Sequence, residues 1–97
     1  MAIIRLIHVK VSRDQITEAE RIWKEECAPL MIKSPGCTSE KLLKCLDEPG
    51  EFISYSEWES DDAIERYRGS AAHGEIQAHA RRLQGAQAVV KRYALLG

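Results

Sequence analysis

The chain has 97 residues, with 14 basic and 15 acidic side chains for a formal charge of −1 and 44% hydrophobic residues, the balance of a folded soluble protein rather than a disordered one. So even a charge offers no field for a nucleic-acid backbone or an anionic membrane, and apolar runs cut by Arg5 and His8 are too short for a membrane span or a signal-peptide core, so a cytoplasmic protein is expected. One domain over 1–97 fits this length, and a domain so small buries only about 60 to 65% of its unfolded surface, which a partner subunit would improve.

The first predicted element is a strand from Ile3 to Val11, with Ile3, Arg5, Ile7, Val9 and Val11 on one face and Ile4, Leu6, His8 and Lys10 on the other. Ser12-Arg13-Asp14-Gln15 reads as a capping box opening a helix. Ile16, Ala19, Trp23, Cys27 and Leu30 recur at helical spacing as its core stripe. Pro29 should kink that helix or start a new turn, and Pro35-Gly36 should turn the chain. A second strand is expected from Cys37 to Leu46, then a type II turn in Asp47-Glu48-Pro49-Gly50. The third strand, Phe52 to Glu59, places Phe52, Ser54, Ser56 and Trp58 on one face. Ser60 should cap a helix ending near Gly69, and Ser70 a further one reaching Gln84 and stopped by Gly85. Gln87 to Leu96 completes the order as a fourth strand.

The order β-α-β-β-α-β predicts an α+β, ferredoxin-like fold, an antiparallel four-stranded sheet with its helices on one face. At least three strands are apolar on both faces, so something apolar must cover the other side, and a homodimer through the sheet face is expected. Cys27, Cys37 and Cys45 are odd in number and lack C-x-x-C spacing, which predicts reduced thiols and no zinc site. His73 and His79, six residues apart, fall on different helix faces, so no metal is assigned. No Gly-rich dinucleotide fingerprint is present and no cofactor is expected.

Glu57-Trp58-Glu59-Ser60 with its acidic helix start, His73, and Pro35-Gly36-Cys37 before the second strand carry a resemblance. The chain resembles the antibiotic biosynthesis monooxygenase domain family, whose members form a dimeric α+β barrel. The resemblance implies a site between sheet and helices, with Trp58 lining the cavity and His73 as the catalytic base for a phenolic or enolic proton. Ser54 and Ser56 share the Trp58 strand face and are candidates for binding substrate, as is the Tyr67 hydroxyl. His8, on the face of Ile4 and Leu6, is a second candidate base or substrate contact. Arg5, Lys10 and Arg92 could hold an anion if they faced inward, and otherwise are solvated charges. The chain contains no Asn, whereas the best-defined family members use one. Where the anthrone-type pattern has Asn, Ser54 stands, its Arg falling near Arg81 or Arg82. The haem-degrading triad is replaced at Ile7, Tyr67 and Gln77. The resemblance thus implies a cofactor-independent monooxygenase for a small aromatic or quinol-like molecule, with a non-catalytic small-molecule-binding domain, or less readily a haem protein, as alternatives.

Overall fold

Alternation in four segments and helical periodicity between them give the order of elements in the computed structural model, which describes residues 2–81 and 87–97. The strands are β1 (Ile3–Lys10), β2 (Cys37–Lys44), β3 (Glu51–Trp58) and β4 (Gln87–Ala94). Helices α1 (Ile16–Ile22) and α2 (Ala28–Ile32) follow β1, and α3 (Asp61–Arg68) and α4 (Ala71–Ala80) follow β3. All strand pairs are antiparallel, in the order β2-β3-β1-β4, the ferredoxin-like α+β arrangement. The expected stop at Gln84-Gly85 lies outside the described residues.

The turns explain how the strands meet. Glu51 N–H bonds the Glu48 carbonyl, with Pro49 and Gly50 between them and Gly50 at φ +88°, the left-handed third residue of a type II turn. A Cβ on Gly50 would stand 2.4 Å from the Val11 carbonyl oxygen, so only glycine lets β1 and the β2–β3 hairpin close there. Gly36, at φ +89°, packs so tightly on Ala63 that an added Cβ would lie 2.4 Å from that methyl, which seats the start of α3 against the entry to β2.

The helix before β2 departs from regular geometry at Pro29. A proline there has no N–H to give and its ring would press on the carbonyl four residues back. A single π-helical turn, Trp23–Cys27, widens the helix just ahead of it, and the Ala28 N–H bonds the Trp23 carbonyl. The Trp23 indole N–H donates to Glu40 Oε1 on β2 at 2.8 Å, anchoring this turn to the sheet. One expectation is corrected: Ser12 does not close a capping box. Its hydroxyl donates to Asp14 Oδ1 at 2.7 Å, while the Gln15 N–H goes to the Ser12 carbonyl in a 3₁₀ turn, Arg13–Gln15; the tighter turn uses the donor that the side chain would have received. Ser60 and Ser70 do cap, accepting from the Ala63 and His73 amides.

Between helices and sheet lie two apolar clusters. Val11, Ala19 and Phe52 form one, with Val9, Ile16 and Leu42 against it. Around Trp58 a larger one gathers Ile22, Cys27, Met31, Ile64, Tyr67 and Ile76. The opposite face of the sheet carries no helix, and there Leu43, Val89 and Tyr93 are 46%, 55% and 46% exposed. Among the described residues no helix is long and apolar enough to cross a membrane.

Candidate functional site

Strand β3 alternates as its sequence suggested: Phe52, Ser54, Ser56 and Trp58 are 4%, 1%, 1% and 0% exposed, while Ile53, Tyr55 and Glu57 between them look to the open face. Pairing of β1 with β3 sets Ile3 opposite Trp58, Arg5 opposite Ser56, Ile7 opposite Ser54 and Val9 opposite Phe52. The covered face therefore has a polar middle, Arg5, Ser54 and Ser56, between its two apolar ends.

Trp58 is held by that middle. Its indole N–H donates to Ser56 Oγ at 2.9 Å, and the Ser56 hydroxyl donates to the Arg5 carbonyl at 3.4 Å. The Ser56 hydroxyl is thus committed to orienting the indole. Tyr67, from α3, stacks on Trp58 with centroids 4.9 Å apart and planes at 40°, and meets the His73 ring edge-on at 5.0 Å. The Arg5 guanidinium carbon lies 5.7 Å from the Tyr67 ring centre, a cation–π distance. Trp58, Tyr67 and His73 form one aromatic train, the first two buried and His73 half-buried at the N-terminal turn of α4.

The electrostatics follow from burial. Tyr67 is pushed up to about 12, mainly by burial, with Arg5 partly opposing, so its phenol is neutral at pH 7. His73 is lowered from its usual value, first by burial and then by the positive charge of Arg5, with a hydrogen bond to the Arg68 backbone pulling the other way. The imidazole is therefore a neutral base near pH 7. Arg5 is also lowered, chiefly by burial. Arg5 Nη1 and Ser54 Oγ are fully buried yet have no hydrogen-bond partner.

A depression of about 440 Å³ opens onto the train between the end of α2 and the α3–α4 turn, lined by Leu30, Ser34, Arg66, Tyr67 and Ser70 among others. Tyr67 is the member of the train that lines it. Of the six candidates, Ser56, Trp58, Tyr67 and His73 form one chain of contacts and Ser54 shares the sheet face of Ser56 and Trp58, but only Tyr67 lines the depression. His8 stands apart. It is exposed on the open face, where it borders a separate depression of about 400 Å³ with Leu43, Ile53 and Val89, because its strand parity opposes that of Arg5 and Ile7. Lys10 shares the open face and pairs with Glu51 at 3.1 Å, and Arg92 pairs with Asp61. Arg5, left as a solvated charge unless it faced inward, is 5% exposed. The pattern of β1, apolar on both faces, carries no signal for this; its register with the Ser54-Ser56-Trp58 face of β3 does. Arg81 is exposed and Arg82 lies outside the described residues. Among the described residues no group of three or more His, Cys, Asp or Glu is placed to hold a metal ion, and Cys27, Cys37 and Cys45 are not joined in disulfides.

The family model described as antibiotic biosynthesis monooxygenase matches residues 2–79. The uncharacterized protein YczJ of Bacillus subtilis (strain 168) is 30% identical over 74 residues, 75% of this chain and 75% of its own length. Among solved structures, Rv0793 of Mycobacterium tuberculosis superposes with a TM-score of 0.82 at 20% identity, covering 100% of this chain and 97% of its own. A variant of SnoaB, a cofactor-independent oxygenase from Streptomyces nogalater, gives a TM-score of 0.85 at 16% identity, with 97% and 92% covered. At these identities the structural likeness establishes the fold.

Proposed function

The chain belongs to the antibiotic biosynthesis monooxygenase family, and from that premise we propose that it is a cofactor-independent monooxygenase oxidising a small aromatic, quinol-like substrate with dioxygen. The observation that carries this reading is the train Trp58–Tyr67–His73, which ends in a half-buried imidazole kept neutral beside a depression lined by Tyr67. Aromatic faces suit a planar substrate, and a neutral base suits the removal of a phenolic or enolic proton.

In the proposed reaction His73 takes that proton, leaving a substrate anion rich enough to pass one electron to dioxygen. Recombination of the resulting radicals forms a carbon–oxygen bond and a peroxide, which the protonated His73 protonates. Loss of the carbon-bound hydrogen as a proton breaks the O–O bond, giving a carbonyl on the substrate and hydroxide, which becomes water. Substrate-H₂ and O₂ thus give substrate=O and H₂O, with His73 restored. Trp58, fixed by Ser56, backs Tyr67 and holds the apolar wall that keeps water from the intermediate.

The same reading has one domain over 1–97 acting in the cytoplasm as a homodimer. Ile4, Leu6, Ile53, Tyr55, Val89 and Tyr93 share the open sheet face, and a second copy would cover them.

Dioxygen uptake across a panel of quinols and polycyclic phenols, with no added cofactor, tests the activity. Uptake that falls about 100-fold or more in His73→Ala supports it. No uptake with any member, or uptake undiminished in His73→Ala, overturns it.

A further inference from the structure

We propose that Arg5 and Ser54 form a seat for a negatively charged oxygen, so that the site takes its ligand as a planar aromatic anion, a phenolate or an aromatic carboxylate. The inference rests on reading this cluster as the substrate site, and it names the chemistry of what enters.

A guanidinium keeps its proton at any physiological pH and presents five donors. Buried without a carboxylate it is strongly unfavourable, so buried arginines are ordinarily paired. Arg5 is 5% exposed and its Nη1 has no acceptor. The groups that act on its charge are Tyr67, a neutral phenol at pH 7 that also shares a hydrogen bond with the guanidinium, and Arg68, another cation. Arg92 stands directly across on β4 but is exposed and paired with Asp61. Three carboxylates on the adjoining elements are engaged elsewhere: Asp61 with Arg92, Glu65 with Arg68, and Glu40 with the Trp23 indole. Among the described residues no carboxylate acts on the buried Arg5, and its Nη1 is an unused donor.

Ser54 supplies the second observation. It is 1% exposed and its hydroxyl is unpartnered, although Ser56, two residues on, has its hydroxyl fully engaged. With Arg5 opposite Ser56 and Ser54 opposite Ile7, Arg5 and Ser54 are diagonal neighbours on one sheet face, within reach of a common acceptor. A hydroxyl and a guanidinium N–H aimed at one oxygen make a charge-assisted pair. The Tyr67 ring beside Arg5 also lines the depression of about 440 Å³, and its flat apolar face favours an aromatic anion over a small inorganic one.

The test uses the full chain and two probes: 4-nitrophenol, whose phenolate absorbs in the visible, and benzoate, with benzyl alcohol as the neutral counterpart. Both anions are expected to bind and raise the melting temperature while benzyl alcohol does not, and bound 4-nitrophenol should ionise at lower pH than free. Arg5→Gln and Ser54→Ala should each weaken anion binding by about tenfold or more, the worth of one charge-assisted hydrogen bond, and Arg5→Gln should abolish the ionisation shift. Lys10→Gln, on the open face, should change neither. If Arg5→Gln fails to fold, Arg5→Lys keeps the charge without the planar fork and should retain only part of the affinity. Binding of the phenolate alone supports a seat for the reacting oxygen, and of benzoate alone a seat for a carboxylate substituent. The seat is overturned if neither anion binds, or if both bind the Arg5 and Ser54 variants as tightly as the parent. Anion binding without dioxygen uptake preserves the seat and removes the oxygenase reading, and uptake without anion preference does the reverse.

Discussion

The two faces of the sheet are unfinished in opposite ways. Under the helices, where apolar groups belong, Arg5 and Ser54 carry buried polar atoms with no partner. On the face without helices, where polar groups belong, Leu43, Val89 and Tyr93 are about half exposed. Both arrangements cost free energy in the isolated chain. In the proposed reading a ligand of opposite charge completes the covered face and a second copy of the chain the open face, which would give one sheet binding on one side and assembly on the other.

The largest test of that contrast is to remove the anchor of the covered face. Trp58→Ala should cost about 3–5 kcal/mol in urea unfolding, the usual cost of deleting a fully buried large aromatic, because it also frees the Ser56 hydroxyl and takes the stacking partner from Tyr67. A cost near that of a surface change would mean the core does not centre on Trp58. Next comes the open face. Leu43→Glu with Val89→Glu should leave the subunit folded and turn the dimer into monomer in light scattering, since each lost burial is worth roughly 1.5 kcal/mol or more. A parent protein monodisperse as a monomer at micromolar concentration would remove the dimer altogether.

Much of the covered face could be read from the chain. The Phe52-Ser54-Ser56-Trp58 alternation, the Glu48–Glu51 turn and the Ser60 and Ser70 caps each depend on neighbours within a few residues, and they appear as the sequence implies. Strand β1 was harder because Ile3, Ile7 and Val9 on one side and Ile4 and Leu6 on the other are both apolar. Its own pattern cannot say which side the helices cover. That is decided by its register with β3, a long-range pairing, and it moves Arg5 inside and His8 outside. The division of labour between the two serines was equally invisible: both share a face, but only the geometry of the indole engages Ser56 and leaves Ser54 unused.

Arg5 gives a prediction of intermediate size and unusual sign. Arg5→Met should stabilise the ligand-free chain by about 1–3 kcal/mol, since it removes a buried unsatisfied donor and keeps an unbranched apolar stem. It should also abolish anion binding. A loss of stability in the ligand-free chain would mean that the Arg5 packing over Tyr67 outweighs the desolvation of its charge.

The smallest effect is set by pH, and it separates His73 from His8. His73 has a folded pKa below its ordinary value because burial, and then the charge of Arg5 from β1, disfavour the imidazolium; Arg68 of α3 acts in the same direction. The unfolded chain takes up this proton near pH 6.5. As pH falls through about 6.5 toward the folded value, the unfolded state binds a proton that the native state refuses, so stability falls across that window and is level above it. The change should be small, because the ring is only half-buried. Turnover has the same direction: the base works when neutral, so kcat/KM should fall on the acid side of the lowered pKa. His73→Gln should erase that limb along with most of the rate, whereas His8→Gln, on the other face of the sheet, should leave both in place. Arg5→Gln removes the cation nearest His73 in effect and should move the acid limb to higher pH in whatever activity survives. An acid limb that stays where it was would mean that Arg5 and His73 do not act on a common site, and the contrast between the two faces would then reduce to packing alone.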